Sequence, residues 1–302
     1  MLDFRAAFTP TGSMSSGAFP ILLCLLSAIT VAATNLFVKR GGDVLSTRMV
    51  VSIAMALSVL PFAFFVPMPT PAVWGALMVS VIVHWFYQFA MIRALHRGDL
   101  SLVFPVMRGL APLLTAITAT VALRESPGLF GWMGLLIATG ALIIFAMPEE
   151  KGGKHPPVKQ AALFWAMVTA LGIAFYSVAD AYGARMAAQT TTLFTFVVYL
   201  FLLDWIGIST AMVWIRRGQV WADVAPQIRG GMIGGVLGTI SYGAALWAFT
   251  LSEAANVTAI RETSVVFGAI FGAVFLKEAF GPRRILAASV LAFGLILLEF
   301  AP

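Results

Sequence analysis

The chain has 302 residues, 60% of them hydrophobic and only 11% charged, with a formal net charge of +6 and a mean hydropathy of +0.95. A soluble domain carries about twice that charge, so the composition excludes a soluble globular protein and indicates a polytopic membrane protein. The basic excess does not indicate nucleic acid. Most Lys and Arg residues lie in short gaps between apolar runs, where membrane proteins keep the charges that set their orientation. The single cysteine, Cys24, lies in an apolar run, which leaves no intrachain disulfide and no thiolate metal site.

Residues 1–18 contain Asp3, Arg5 and a Ser/Gly-rich stretch and read as a disordered N-terminal tail, with Met14 as a second candidate start. They do not form a signal peptide, since the first apolar run is long enough to span and no small-residue cleavage site follows it. A crossing needs about 20 apolar residues. On that basis the spans fall at 19–38, 45–66, 72–93, 100–123, 128–147, 161–181, 191–215, 229–250, 254–276 and 281–300, ten helices in all. The gaps carry turn residues such as Gly41-Gly42-Asp43, Pro67-Met68-Pro69 and Ser126-Pro127-Gly128. One longer polar linker, 148–160, separates a first repeat (19–147) from a second (161–302), each with five spans.

The halves are related in sequence. Residues 94–125 are echoed by 248–278, so that Arg108 falls on Arg261, Ala116 on Ala269, Leu123 on Leu276 and Glu125 on Glu278. A weaker echo sets Ala28–Lys39 beside Ala170–Ala181. Five is odd, so the second half must enter the membrane from the opposite side. The expected fold is therefore all-α, two inverted five-helix repeats with a site near the midplane. Lys and Arg crowd the gaps 38–48, 93–99, 148–160, 216–229 and 277–284, whereas the other side holds only Arg5, Arg124 and Arg185. The positive-inside rule then makes the linker cytoplasmic and places both termini outside the plasma (bacterial inner) membrane. Gly230, Gly234 and Gly238, with Gly231 and Gly235 one position along, and Gly268 with Gly272, read as close helix-packing positions.

Ten spans in two halves, one closing on Ala94-Leu95…Arg124-Glu125-x-x-Gly128 and the other on its echo, Ala248-Phe249…Lys277-Glu278, with an arginine at Arg108 or Arg261, resemble the EamA-type family of the drug/metabolite transporter superfamily. Arg48, entering the second span, also fits. The resemblance covers roughly 19–300. It implies export or import of a small metabolite, proton-linked or uniporter-like, through a central cavity lined mainly by the third, fourth, eighth and ninth spans, with the fifth and tenth more peripheral. The chain departs from many relatives in that Pro67–Pro71 carries no charge, which leaves the direction of transport open.

Ionisable groups within spans are costly and become candidates for function. Arg108, on one helical face with Ser101, Pro105 and Pro112, and its counterpart Arg261 could grip a carboxylate or phosphate through the guanidinium fork. The competing reading neutralises Arg261 with Glu262 or Asp204, and Arg108 with helix-end carbonyls. Asp204 and Glu262 are the candidate proton-coupling carboxylates, unless a permanent arginine pair keeps them ionised and purely structural. His84, Trp85, Tyr87 and Gln88 cluster on the third span and Ser241, Tyr242 and Trp247 on the eighth. With Tyr176 and Asn35 they are candidates for a substrate-binding wall or, alternatively, packing. Trp74, Trp132, Trp165 and Trp221, near span ends, read as interfacial anchors, and Glu125 and Glu278 as partners of the adjacent Arg124 and Lys277. No cofactor or metal-ligand motif is recognisable. The expected function is a secondary transporter of a small polar, anionic or zwitterionic metabolite such as an amino acid or organic acid, acting as a monomer or weak homodimer. The alternatives are an integral-membrane enzyme acting on a lipid or isoprenoid, and a non-transporting membrane partner.

Overall fold

The computed structural model describes residues 18–40, 43–97, 100–146, 160–216, 218–276 and 281–299. The expected tail (apart from Ala18), the linker (apart from Gln160), Lys277 and Glu278 lie outside the described residues, as do the side chains of Ser101 and Pro105. Among the described residues the chain is all-helical.

The described residues form thirteen α-helices: α1 (Ala18–Arg40), α2 (Val44–Val59), α3 (Pro71–Leu95), α4 (Leu100–Gly109), α5 (Ala111–Ala122), α6 (Leu129–Ala146), α7 (Gln160–Thr190), α8 (Leu193–Arg216), α9 (Val220–Val224), α10 (Ile228–Leu251), α11 (Ala254–Arg261), α12 (Ser264–Leu276) and α13 (Pro282–Glu299). A 3-10 turn, Leu60–Phe64, extends α2, and another, Ala225–Gln227, joins α9 to α10. The expected spans 100–123 and 254–276 are each broken into two helices, and the stretch entering the eighth span adds α9. The expected end of the sixth span at 181 is corrected: α7 runs on to Thr190, because its Ala-rich sequence meets no breaker. Seven described stretches are long and apolar enough to cross a membrane, and 106–122 and 129–145 are shorter apolar helices. Large apolar side chains such as Phe65, Val121, Leu129 and Leu286 face outward, a surface suited to lipid.

Local chemistry sets the helix ends. Asp43 caps α2, accepting from the Leu45 amide at 3.2 Å. Thr70 caps α3 ahead of Pro71 at its first position. The breaks matter most, because they fall at equivalent places in the two repeats, just after Arg108 and just after Arg261. In the first, Pro112 has no N–H to offer the Arg108 carbonyl. The second has no proline. There the chain tightens into 3-10 bonds, Val265 N to Glu262 O at 3.0 Å, and the Thr263 hydroxyl bonds back to Ile260 O at 2.7 Å.

The packing respects exchange of the two halves. α1 packs on α10 as α7 packs on α3, α12 packs on α1 as α5 packs on α7, and α10 packs on α2 as α3 packs on α8. Lipid removes the hydrophobic drive between helices, so close approach and cross-helix hydrogen bonds hold them instead. A Cβ on Gly235 would sit 2.3 Å from that of Ala54, and one on Gly134 would sit 2.6 Å from the Gly294 carbonyl. Gly230 and Gly268 do not serve as expected, since a Cβ on either meets nothing within 4 Å. Ser27–Ser241 (3.3 Å), Thr34 to Gly234 O (3.2 Å) and Ser58–Thr239 (2.8 Å) join α1 and α2 to α10.

Candidate functional site

A cavity of about 170 Å³ opens between the halves. A cavity of about 150 Å³ accommodates a benzene-sized molecule, so this one suits a small metabolite. Its wall brings together Asn35 of α1, Arg48 of α2, His84, Tyr87 and Gln88 of α3, Arg108 of α4, Tyr176 of α7, Asp204 of α8, Tyr242 of α10 and Arg261 of α11. α6 and α13 contribute nothing to it, while α1, α2, α7 and α8 line it beyond the four spans expected to dominate.

The aromatic wall is a chain of ring contacts. His84 stacks on Tyr176 with centroids 4.4 Å apart and 26° between planes. Tyr87 meets Tyr176 edge-on at 5.1 Å, and Tyr242 meets His84 edge-on at 5.7 Å. Tyr176 therefore stands between Tyr87 and Tyr242. Trp247 is absent from this wall; it is half-exposed and packs on Phe19. Trp85 is also absent. It lies on Gly207 and donates its indole N–H to the Asp204 carbonyl at 3.2 Å, bordering a separate apolar cleft between α3 and α8.

The arginines divide into two kinds. Arg108 donates Nη1 to Glu262 Oε1 at 2.9 Å, across the two helix breaks and the two repeats. The carboxylate that the sequence offered to Arg261 is thus in direct contact with Arg108 instead. Glu262 is 1% exposed and stands where the first repeat has Gly109, so the pair occurs once and the halves are chemically unequal. Arg261 donates Nε to Ser27 Oγ at 2.9 Å and lies over the Tyr242 ring at 5.2 Å. Among the described residues it makes no ion pair, and Arg48, whose Nε is buried without a partner, makes none either. Two arginines without a direct carboxylate contact among the described residues thus border the cavity.

The carboxylates sit around His84. Asp204 Oδ1 accepts from Gln88 Nε2 at 2.9 Å and lies 3.9 Å from His84 Nδ1. Asp180, which sequence reasoning left out of the site, is fully buried and accepts from Ser80, Tyr242 and His84 Nε2, the last at 3.0 Å. A span ending at 181 made Asp180 a terminal polar residue. Its place in the interior of a longer α7 was the signal that could have found it.

A second buried centre lies further along α7, outside the cavity lining. Arg185, read from sequence as a loop charge, is fully buried and pairs with Glu125 at 2.5 Å. It also donates to the carbonyls of Phe249 (2.8 Å) and Ser252 (3.0 Å), while Glu125 accepts from the Ala254 amide at 2.8 Å. Glu125 is therefore not the partner of Arg124. Arg124 adopts a left-handed conformation, φ 57°, which turns the chain so that Glu125 points back into the bundle. This costs a non-glycine residue roughly 1–2 kcal/mol. The centre ties the α5–α6 turn, α7 and the α10–α11 turn together.

Among known proteins, residues 18–147 and 160–300 each match the EamA-like transporter family. One solved crystal structure shares the fold with a TM-score of 0.69, covering 92% of this chain and 95% of its own at 15% identity. No curated protein matches. With both halves matched over nearly their whole length, the chain belongs to the EamA-like transporter family, integral membrane transporters of the drug/metabolite transporter superfamily.

Proposed function

We propose that the chain is a secondary transporter that carries a small anionic or zwitterionic metabolite, amino-acid-like or an organic acid, by alternating access. The observation that carries this reading is the cavity itself, where Arg48 and Arg261 face an aromatic wall without a carboxylate partner among the described residues. Planar guanidinium groups bind carboxylates in bidentate fashion, and the carboxylate on the same wall, Asp204, is already engaged by Gln88 at 2.9 Å beside His84. Asn35, Gln88, Tyr87, Tyr176 and Tyr242 supply hydrogen-bond and stacking contacts around that anchor.

Ten crossings in two inverted halves agree with the exchange-symmetric packing. With the linker cytoplasmic and the protein in the plasma membrane, Val38 and Arg48 stand at the cytoplasmic end of the cavity and the Glu125–Arg185 centre lies on the outer side. The shape is then inward-facing, and breaking the outer centre while closing the inner end gives the other state. The working unit proposed is a monomer or a weak homodimer.

Reconstitution into liposomes tests this. Saturable counterflow of a small carboxylate or zwitterion, with the molecule unchanged, is expected. Turnover of a bond in a lipid substrate in detergent, without any vesicle flux, would replace the transporter by a membrane enzyme. A stoichiometric protein complex without flux would replace it by a receptor or partner.

A further inference from the structure

We propose that the gap between His84 Nδ1 and Asp204 is a proton-binding site and that Asp180 is the residue that positions it. The inference rests on the transporter reading and names the coupling ion and its seat.

Asp180 faces three donors, the Ser80 and Tyr242 hydroxyls and His84 Nε2. An ionised carboxylate only accepts, so it suits all three. The Tyr242 oxygen, whose own hydrogen goes to Asp180, also lies 3.2 Å from Nε2 and accepts there, so both contacts assign the imidazole hydrogen to Nε2 and leave Nδ1 bare in neutral His84. The bare Nδ1 looks across 3.9 Å at Asp204 Oδ1. Two acceptors facing each other form an incomplete contact that one proton, on either atom, completes. Asp204 and His84 stand on the cavity wall and Asp180 does not, so the first pair exchanges protons with the cavity while Asp180 remains a fixed anion. Chains of Asp and His inside membranes are the usual material of proton relays. Glu262 is set aside for this role because Arg108 holds it.

The charged and titratable groups around His84 come from every neighbouring helix. α7 supplies Tyr176 and Asp180, α8 Asp204, α4 Arg108 with Glu262 beyond it, α10 Tyr242, α11 Arg261 and α2 Arg48, and α3 itself carries Tyr87. Arg261 touches the same Tyr242 ring as His84, and its positive charge opposes a second proton on the imidazole. An anion bound at Arg261 cancels that opposition. Proton and anionic substrate therefore favour each other's binding, and the effect is reciprocal.

The test needs no substrate. The chain has three histidines, His84, His96 and His155, so His96→Gln with His155→Gln leaves His84 as the single reporter for 15N NMR in nanodiscs. The expected spectrum shows the Nε2–H tautomer at high pH and a doubly protonated ring on acidification. At a fixed pH within that change, Asp204→Asn should lower the ratio of doubly to singly protonated ring about tenfold or more. Arg261→Gln should raise it, and Asp180→Asn should admit the Nδ1–H tautomer. A native Nδ1–H tautomer overturns the proposal, and so does a protonation profile that neither Asp204→Asn nor Arg261→Gln moves. Should Asp204→Asn misfold, the native tautomer and Arg261→Gln still decide. Absence of flux for every metabolite sinks the transporter reading without touching this result. Flux without this titration sinks the proton site alone.

Discussion

Replacing Arg185 with Gln removes the cation of the Glu125–Arg185 centre, which is outer in the proposed orientation, and leaves the side chain polar. Glu125, with 5% of its side chain exposed, then loses its 2.5 Å partner, and breaking a buried ion pair in this way costs about 3–5 kcal/mol. If the outer side opens during transport, both groups are hydrated in the open state, so the cost falls on the closed state alone. At 1.4 kcal/mol per factor of ten, the closed-to-open ratio shifts roughly a hundred- to a few-thousandfold. Cys24 is the only cysteine, so Cys24→Ser gives a clean background for Thr250→Cys, a position 5% exposed at the C-terminal end of α10. Modification of that thiol by a membrane-impermeant maleimide should quicken at least tenfold when Arg185→Gln is added, within the range of that shift. A folded, monodisperse Arg185→Gln protein that melts earlier but labels no faster would refute the reasoning and make the pair a fold-stabilising contact only.

Arg108→Gln strands Glu262, whose side chain is 2% exposed, and should lower stability by about 3–5 kcal/mol; adding Glu262→Gln should recover most of it in a detergent melt. Gly235→Ala brings a Cβ within 2.3 Å of Ala54 and 2.9 Å of the Val51 carbonyl, an overpacking expected to cost about 1–3 kcal/mol, whereas Gly230→Ala should leave the melting temperature unchanged. Glu253, in the α10–α11 turn, has its carboxyl pushed above the usual range by burial first and by Glu125 second, with Arg185 opposing. The folded chain therefore holds that proton more tightly than the unfolded one, and the stability this contributes at low pH is lost as pH rises through the raised value. Glu253→Gln should accordingly melt higher than the native protein at neutral pH, with a flatter pH profile across the acid range.

Apolar runs, turn residues and the alignment of Arg108 with Arg261 made the helical membrane fold and its two halves legible, because span length and repeated charge are properties of the chain itself. The breaks were half-legible: Pro112 signals the first, but nothing around Glu262 and Thr263 has proline's strength. Arg108, Glu262 and Asp204 stood out as ionisable groups in apolar surroundings, yet their partners were hidden. Sequence proximity suggested that Glu262 would pair with Arg261, its neighbour, whereas adjacent helix positions point about 100° apart and the facing repeat supplies Arg108 instead. Arg185 and Asp180 were missed for one reason. A hydropathy boundary ends where charge begins, but a buried Asp held by three donors or an Arg held by Glu125 continues the helix beyond it.

The central claim, that Arg261 anchors an anionic substrate in the cavity, is tested most directly by ligand-induced thermal shifts of the native protein and of Arg261→Gln against amino acids, organic acids, nucleobases and sugar phosphates. A ligand at a hundred times its dissociation constant stabilises by about 2.7 kcal/mol. The expected result is a small carboxylate-bearing metabolite that stabilises the native protein and loses that effect in Arg261→Gln, while the two unliganded proteins melt alike. Equal stabilisation of both proteins by the same ligand, or stabilisation by cations alone, would contradict it.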